Sequence, residues 1–309
     1  MTAAASEPPV FLLTGGQGQI GFELAHELAA LGTVVAPSSS ELDLRDARSI
    51  AAAVSTVRPT VIVNAAAWTA VDAAESDPDS AAALNAESPG ALARHAARTG
   101  AVLVHFSTDY VFDGTSQRPW LETDTTNPLS VYGRTKLAGE RAIVDAGCRH
   151  LIFRTSWVFS RRRQNFMLTM LRLARTREEL AVVADQRGAP TSARLIANAV
   201  ARVIAPILHE HGDGAADEWS GVYHLSAAGE TTWHGFAEAV LAGDPNRAEQ
   251  VCRHIRALTT ADYPTAARRP AYSVLDNAKV ERVFGVRLPD WREHLRQELA
   301  ATSPRSAPR

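Results

Sequence analysis

Apolar residues in the first half of the chain alternate between short continuous runs and longer segments with helical spacing. The runs predict five buried strands, at residues 10–13, 33–36, 61–63, 102–106 and 151–153. Ile20, Leu24 and Leu28 recur at helical spacing after the first strand, and another helix is predicted over residues 131–146. Asp46 can cap a helix that reaches residue 57. Strands that alternate with helices indicate βαβ units, so we expect an α/β fold with a Rossmann-type, doubly wound parallel sheet.

The alternation loosens after about residue 157. Helices are predicted there over residues 165–176, 232–242 and 276–284, and strands over residues 180–183 and 222–225. We expect residues 1–158 to form the sheet domain and residues 159–309 to form a smaller, mixed substrate-binding region. Some segments around residues 180–225 are expected to return to the sheet, and the tail 302–309 is predicted to be disordered.

Composition narrows the classes of function. The 309 residues carry a formal net charge of −2, which gives no electrostatic argument for nucleic acid or a membrane surface as partner. Cys148 and Cys252 match no metal-binding or redox spacing, and no metal site is predicted from the residues. The chain shows no signal-peptide pattern and no apolar run long enough to span a bilayer, so we expect a cytoplasmic protein. The basic cluster Arg161-Arg162-Arg163 fits either a solvated loop or a phosphate contact.

A glycine-rich segment between the first strand and the first helix has the spacing of a phosphate-binding loop. Gly18 and Gly21 match G-x-G-x-x-G together with Gly16, and G-x-x-G-x-x-G together with Gly15. Such glycines permit a tight turn and close approach of the backbone to a pyrophosphate at the helix N-terminus, whereas a purely structural turn is the alternative. Residues 1–158 are therefore predicted to bind a dinucleotide, and the loop residues expected to contact it are Gly15, Gln17, Gly18, Gln19, Ile20 and Gly21.

The end of the second strand lacks the acidic residue that would bind a ribose 2′-hydroxyl. Ser38, Ser39 and Ser40 stand there instead, and their hydroxyls can donate hydrogen bonds to a 2′-phosphate that no acid repels. The sequence therefore predicts NADPH as cofactor, with NADH also accepted.

Tyr132 and Lys136 lie four residues apart on a predicted helix, so their side chains share one face. A fixed positive charge favours the phenolate and lowers the tyrosine pKa, which suits proton transfer to a carbonyl oxygen beside a nicotinamide. A hydroxyl donor is also needed. Both Ser107 and Thr108 qualify, because they follow the fourth strand at the sheet edge where ligands bind.

Longer motifs resemble one family. Besides the glycine loop, they are LDL at 42–44, VNAAA at 63–67, TAVD at 69–72, STDYVFDG at 107–114, VYGRTKLAGE at 131–140, RTSWVF at 154–159, DQRGAPT at 185–191 and RPAYSVLD at 269–276. The chain is similar over residues 10–299 to the dTDP-4-dehydrorhamnose reductases, which are extended short-chain dehydrogenase/reductases. The loop and the Tyr/Lys pair occur throughout that superfamily, whereas STDYVFDG, RTSWVF and DQ-x-G-x-PT are far more specific.

The resemblance implies a role for individual residues. It assigns the hydroxyl role to Thr108, beside Tyr132 and Lys136. It places Asp43 and Leu44 at the adenine and lines the cofactor path with Ala65, Ala66, Ala67 and Thr69. The residues it brings to the sugar nucleotide are Thr108, Asp109, Trp157, Asn165 and Phe166. It also implies diphosphate or nucleotide contacts for Arg269 and Tyr272, and a supporting role for Asn85.

The reaction implied is reduction of the C4 ketone of dTDP-4-dehydro-L-rhamnose to dTDP-L-rhamnose, for cell-surface polysaccharide such as lipopolysaccharide O-antigen. A related 4-ketoreductase of a secondary-metabolite pathway is the first alternative. A non-catalytic regulatory subunit of the methionine adenosyltransferase type is the second, and a nucleotide-sugar epimerase is a weaker one. The family also implies a homodimer, with Mg²⁺ at the dimer contact in some members.

Overall fold

A parallel sheet of six strands forms the centre of the computed structural model, which describes residues 8–208 and 218–300. Its strands are β1 (Val10–Thr14), β2 (Thr33–Val35), β3 (Val61–Asn64), β4 (Val102–Thr108), β5 (His150–Thr155) and a late strand at Gly221–His224. The order across the sheet is the late strand, β5, β4, β3, β1 and β2. The five early strands predicted from the apolar runs are therefore confirmed.

Helices connect the early strands. They are α1 (Gln19–Leu28), α2 (Ala47–Val57), α3 (Val71–Ser76), α4 (Pro78–Ala82), a π-helical turn (Ala83–Glu87), α5 (Ser88–Thr99), a 3-10 turn (Asp109–Val111) and α6 (Val131–Asp145). The Asp46 side chain accepts a hydrogen bond from the N–H of Arg48 at 2.9 Å. This contact gives a partner to a backbone N–H in the first turn of α2, which has none within the helix, and confirms the predicted cap.

Shorter elements fill the second half of the described chain. They are β6 (Val158–Phe159), α7 (Phe166–Ala174), β7 (Glu179–Val183), β8 (Arg187–Gly188), β9 (Thr191–Ser192), α8 (Ala193–Ile207), β10 (Gly221–His224), β11 (Thr231–Thr232), α9 (Trp233–Ala242), a 3-10 turn (Arg247–Glu249), β12 (His254–Leu258), a 3-10 turn (Thr260–Asp262), α10 (Ala278–Phe284) and α11 (Trp291–Ala300). Three two-stranded sheets pair β7 with β12, β8 with β11, and β6 with β9. In the described stretches, no helix combines the length and apolar character needed to cross a membrane.

Two hydrophobic clusters cover the two faces of the central sheet. Alternate residues of β1 point to opposite faces: Phe11 and Leu13 join one cluster, and Leu12 joins the other. The first cluster continues through α8 to Phe236 and Trp291, so the early strands and the late helices share one core.

The second half differs in part from its prediction. The strand at 222–225 appears as β10 and joins the central sheet beside β5, whereas the strand at 180–183 appears as β7 and pairs with β12 outside it. The helix α8 was missed. Its polar residues Arg194, Asn198 and Arg202 recur every four positions on the exposed side while the other side packs against α1, so a helical pattern was present in the sequence and was overlooked. The tail 302–309 lies outside the described residues, and the domain boundary near residue 158 stays a prediction.

Candidate active site

Three glycines shape the turn between β1 and α1. Gly15 has a φ of +70°, and a Cβ there would lie 2.6 Å from the backbone nitrogen of Ala66. A Cβ on Gly21 would lie 2.1 Å from the Gly15 carbonyl oxygen, to which Gly18 donates its N–H at 2.8 Å. Because side chains are excluded at Gly15 and Gly21, the geometry favours the Gly15-Gly18-Gly21 register. The same lack of side chains leaves a backbone cradle that suits a pyrophosphate at the start of α1.

A cavity of about 920 Å³ extends from this turn to Trp157, Phe166 and Trp233, three rings that we call the aromatic wall. Its volume lies within the usual range for cofactor and small-molecule sites. Most residues expected to bind cofactor or substrate line it; the exceptions are Gly21, which lies against Gly15, and Ser40, Arg269 and Tyr272. Those in the lining are Gly15, Gln17, Gly18, Gln19, Ile20, Asp43, Leu44, Ala65, Ala66, Ala67, Thr69, Thr108, Asp109, Tyr132, Lys136, Trp157, Asn165 and Phe166.

Thr108 and Tyr132 meet inside this cavity. Thr108 is the last residue of β4, Tyr132 lies in the first turn of α6, and the Thr108 hydroxyl lies close enough to the phenol to act on its pKa. The ring of Tyr110 packs edge-on against Tyr132, with ring centroids 5.8 Å apart. The hydroxyl of Ser107 instead donates to the buried carboxylate of Glu140. Of the two hydroxyls left open by the sequence, the structure therefore brings Thr108 to the tyrosine.

Burial governs the acidity of the Tyr132 phenol. Removal from water raises its pKa to about 12, the Thr108 hydrogen bond acts to lower the pKa, and the charge of Asp109 acts to raise it. The sequence led us to expect a lowered pKa, so the direction is a correction: desolvation outweighs the other effects on the phenol. A phenol that holds its proton at neutral pH suits the role of proton donor.

Helix α6 lies close against the 3-10 turn Asp109–Val111 that follows β4. A Cβ on Gly133 would lie 2.3 Å from the carbonyl oxygen of Tyr110, so the glycine next to Tyr132 permits this approach. The Ser130 side chain accepts the N–H of Gly133 at 3.1 Å and caps the helix. These two residues fix where the first turn of α6, and with it the phenol, sits relative to the sheet.

Lys136 is almost fully buried one helical turn after Tyr132. Desolvation lowers its pKa to about 8, and the charge of Glu140 acts in the opposite direction. Its Nζ lies 3.2 Å from Nε2 of His105, a residue that we did not identify from the sequence. A histidine inside a buried apolar strand looks like a core residue, and its partner is 31 positions away.

Asp109 is the second buried acid of the site. Desolvation raises its pKa to about 7, while hydrogen bonds from the side chains of Ser273 and Thr108 act to lower it. Its Oδ2 has no hydrogen-bond partner within the described residues. A buried carboxylate oxygen without a partner is costly, which fits the expectation that Asp109 contacts a ligand.

Asn85 holds a loop of the cavity against α6. Its Oδ1 accepts the N–H of Trp68 at 2.9 Å, and its Nδ2 donates to the Trp68 carbonyl oxygen and to the Thr135 hydroxyl. These contacts tie the segment before α3 to the helix of Tyr132. The position fits the supporting role implied for Asn85, which stays a prediction.

The aromatic wall joins the two halves of the chain. Trp157 follows β5 with a left-handed φ of +47°, and its ring stacks on Trp233 with centroids 3.6 Å apart and planes 6° apart. Phe166 packs against Trp233 at 4.7 Å. A Cβ on Gly188 would lie 2.4 Å from the Trp157 ring, so this glycine leaves room for the stack. Trp233 was not predicted, because nothing local distinguishes it from a core tryptophan.

Residues 160–165 form a loop against the glycine turn. Arg163 donates from Nε to the carbonyl oxygen of Gln17 at 3.0 Å. Ser160 and Asn165 both donate to Oε1 of Gln19, at 2.8 and 3.1 Å. Of the two interpretations of the basic cluster, this placement favours a phosphate contact for Arg163, which also lines the cavity.

The segment after β2 corrects one expectation. The sequence suggested that no acid stands near a 2′-phosphate. In the structure, Oε2 of Glu41 accepts both the N–H and the hydroxyl of Ser38, each at 2.8 Å. Asp43 and Arg45, which form an ion pair, line the cavity nearby. Ser38 therefore contacts a carboxylate three residues further along the chain. The expectation from the sequence concerned only an acid directly at the end of the second strand.

Arg269 and Tyr272, the implied nucleotide contacts, do not line the cavity. Arg269 pairs with Asp72 at 2.6 Å, and the Tyr272 hydroxyl donates to Glu230 at 3.0 Å. In residues 8–208 and 218–300, no group of three or more His, Cys, Asp or Glu side chains is placed to hold a metal ion. A Mg²⁺ site at a dimer contact, which the resemblance implies for some members, stays a prediction.

Known proteins match nearly the whole chain. The family model for the RmlD substrate binding domain matches residues 10–303. A dTDP-4-dehydrorhamnose reductase of Burkholderia thailandensis is 50% identical over 284 residues, which cover 91% of this chain and 95% of the relative. A crystal structure of a dTDP-4-dehydrorhamnose reductase from Clostridium acetobutylicum has a TM-score of 0.86 and 34% identity, covering 94% of this chain and 99% of that one.

A second solved structure carries a nucleotide. The Bacillus anthracis dTDP-4-dehydrorhamnose reductase in complex with NADP has a TM-score of 0.84 and 31% identity, over 95% of this chain and 99% of that one. The chain belongs to the dTDP-4-dehydrorhamnose reductase family.

Proposed function

We propose that this chain reduces the C4 ketone of dTDP-4-dehydro-L-rhamnose to dTDP-L-rhamnose with a reduced nicotinamide cofactor. The observation that carries the proposal is the meeting of Thr108, Tyr132 and Lys136 in one cavity with the glycine turn. Relatives named for this reaction match more than nine-tenths of the chain. An intact proton-donating group also argues against a purely regulatory role.

The cavity suits a dinucleotide at the glycine turn and a sugar nucleotide toward the aromatic wall. A bound reduced nicotinamide supplies the hydride. Gly15 and Gly18 leave their backbone open to the pyrophosphate, and Arg163 adds a positive charge beside it. Asp43 and Leu44 lie at the end of the cavity assigned to the adenine. Trp157 and Phe166 offer ring faces to the sugar nucleotide.

The protein's part in the reaction is to deliver a proton to the ketone oxygen. Thr108 and Tyr132 present two hydroxyls to that oxygen, and the phenol, protonated at neutral pH, transfers its proton as the alcohol forms. The positive charge of Lys136 stabilises the phenolate that remains. Burial strengthens this electrostatic effect because little water screens it.

For the cofactor, we propose NADPH, with NADH also accepted. The Bacillus anthracis relative was crystallised with NADP, and Ser38, Ser39 and Arg45 line the cavity near the adenine end. A 2′-phosphate has to displace the Glu41 carboxylate from Ser38, which reduces the preference for NADPH without abolishing binding.

We further propose that the protein works in the cytoplasm and that it forms a homodimer, as the family resemblance implies. Size-exclusion chromatography with light scattering measures the oligomeric state, and a monomer at all concentrations contradicts the dimer.

The test is an NADPH-consumption assay with dTDP-4-dehydro-L-rhamnose, followed by NMR of the sugar product. The proposal expects oxidation of NADPH and an L-rhamno product. A product of different C4 stereochemistry identifies a related 4-ketoreductase instead. Absence of turnover with folded protein and bound NADPH contradicts the reductase activity.

A further inference from the structure

A buried polar chain crosses the carboxyl ends of three central strands and ends at Lys136. The Thr14 hydroxyl on β1 donates to Oδ1 of Asn64 on β3 at 2.6 Å. Nδ2 of Asn64 lies 3.1 Å from Nδ1 of His105 on β4, whose Nε2 lies 3.2 Å from Nζ of Lys136. All four residues are at most 2% exposed. The central sheet thus extends a continuous polar connection from the glycine turn to α6.

His105 stays neutral at the centre of this chain. It is fully buried, and both desolvation and the neighbouring charge of Lys136 hold its pKa well below the usual value. A neutral imidazole has one N–H and one acceptor nitrogen. His105 can therefore accept a hydrogen bond from Lys136 while its own protonation state stays constant across the working pH range.

The carboxylate next to Lys136 on α6, that of Glu140, is already engaged by other partners. Glu140, one turn along α6, is held by Arg154 through hydrogen bonds of 2.9 and 2.6 Å and accepts the hydroxyl of Ser107. Tyr132, one helical turn before Lys136 on α6, carries a neutral phenol. Among the described residues, His105 is the side chain within hydrogen-bond distance of the ammonium. The position of this charge thus depends on a neutral group.

We propose that His105 is the positioning residue for Lys136, an inference that rests on the proposed function. Nε2 accepts a hydrogen bond from the ammonium, which holds Nζ at the end of β4 and favours the charged form in a buried site. An ammonium has donors only, so the imidazole proton must lie on Nδ1 and point to Asn64. Asn64 then presents its amide oxygen to Nδ1 and its NH₂ to Thr14.

The hydrogen bonds of this polar chain can also run in the opposite direction, with each donor and acceptor exchanged. With Thr14 donating to Asn64, as in the structure, the amide NH₂ faces Nδ1 and the imidazole proton lies on Nε2, toward a neutral Lys136 amine. Turning over the amide and moving one imidazole proton interconvert the two arrangements. Every polar atom of the chain keeps a partner in both, so the network can follow the protonation state of Lys136.

Two substitutions separate this role from simple packing. In His105→Gln, the side-chain amide reaches the position of Nε2 and can still accept from Lys136. In His105→Asn, the amide reaches only the position of Nδ1, so the contact with Asn64 is kept and Lys136 loses its partner. Should the Asn variant fail to fold, His105→Phe, which fills the same space without an acceptor, takes its place.

The measurement is kcat for keto-sugar reduction between about pH 6.5 and 9.5, together with NADPH affinity. Wild-type kcat is expected to fall as pH rises through the Lys136 pKa. Loss of the acceptor disfavours the ammonium, so in His105→Asn the fall in kcat moves to lower pH by about one unit. The kcat of this variant relative to the wild type is therefore expected to decrease as the pH is raised. His105→Gln is expected to keep the wild-type profile.

The outcomes distinguish this inference from the proposed function. Two results overturn the role of His105 while the reductase activity of the wild type stands. One is an equal decrease in kcat at every pH in the Gln and Asn variants, and the other is an unshifted pH profile of kcat in both variants. A wild-type protein that binds NADPH but does not reduce the keto sugar overturns the proposed function itself.

Discussion

At the residue scale, the site combines a half-buried phenol with a buried ammonium, and desolvation moves the two pKa values in opposite directions. Desolvation raises the pKa of Tyr132 to about 12 and lowers that of Lys136 to about 8. The identity of this pair could be predicted from its spacing, but the directions of the shifts could not. They depend on how much water the fold removes, which a four-residue motif does not report.

The acid that faces the serines provides a test at the same scale. Glu41→Gln removes a negative charge beside Ser38, so the ratio of kcat/KM for NADPH to that for NADH should rise about fivefold. Steady-state kinetics with both cofactors measure it. Glu178→Gln, an exposed change that does not line the cavity, is the matched control. An unchanged ratio in the Glu41 variant contradicts the effect assigned to its carboxylate.

At the scale of elements, long buried strands and capped helices were predictable, whereas elements set by distant contacts were not. Residues 102–106 are apolar except for His105 because β4 is covered on both faces. In contrast, β6 and β9 have two residues each and exist because they pair with one another. Two-residue strands leave no periodic pattern in a sequence.

The close approach of α6 to the 3-10 turn after β4 gives a prediction for a whole element. Gly133→Ala places a methyl group where only 2.3 Å separates it from the Tyr110 carbonyl oxygen, so α6 has to move. We expect a loss of about 1–3 kcal/mol in unfolding free energy and a fall in kcat of at least tenfold. Chemical denaturation and kinetics measure the two effects. Arg134→Ala, exposed on the same turn, should leave both near wild type, and a Gly133 variant that matches it contradicts the account.

At the scale of the whole molecule, the cavity lies where early and late parts of the chain meet. The glycine turn and Tyr132 come from the first half, and Trp233 comes from the second. The cofactor half of the site was predictable because its motifs are local and tied to strand ends. The aromatic wall was not predictable, since the stack of Trp157 on Trp233 joins positions 76 residues apart (233 minus 157).

Removal of one ring of the aromatic wall should weaken binding of the sugar nucleotide but not of NADPH. Trp233→Ala deletes the ring behind Trp157 and should raise KM for the sugar nucleotide about tenfold, the effect of a lost aromatic contact of about 1–1.5 kcal/mol. NADPH affinity, measured by fluorescence titration, should stay within about twofold, as should all constants of Trp233→Phe. An equal loss of NADPH affinity shows instead that the ring supports the entire cavity.

The central claim is that Tyr132 supplies the proton, and Tyr132→Phe tests it most directly because it removes one hydroxyl and keeps the ring that packs against Tyr110. The measurement is kcat for NADPH-dependent reduction of dTDP-4-dehydro-L-rhamnose, with NADPH affinity measured on the same protein. We predict a fall in kcat of about 10²- to 10⁴-fold with NADPH affinity nearly unchanged. Turnover close to that of the wild type would contradict the account.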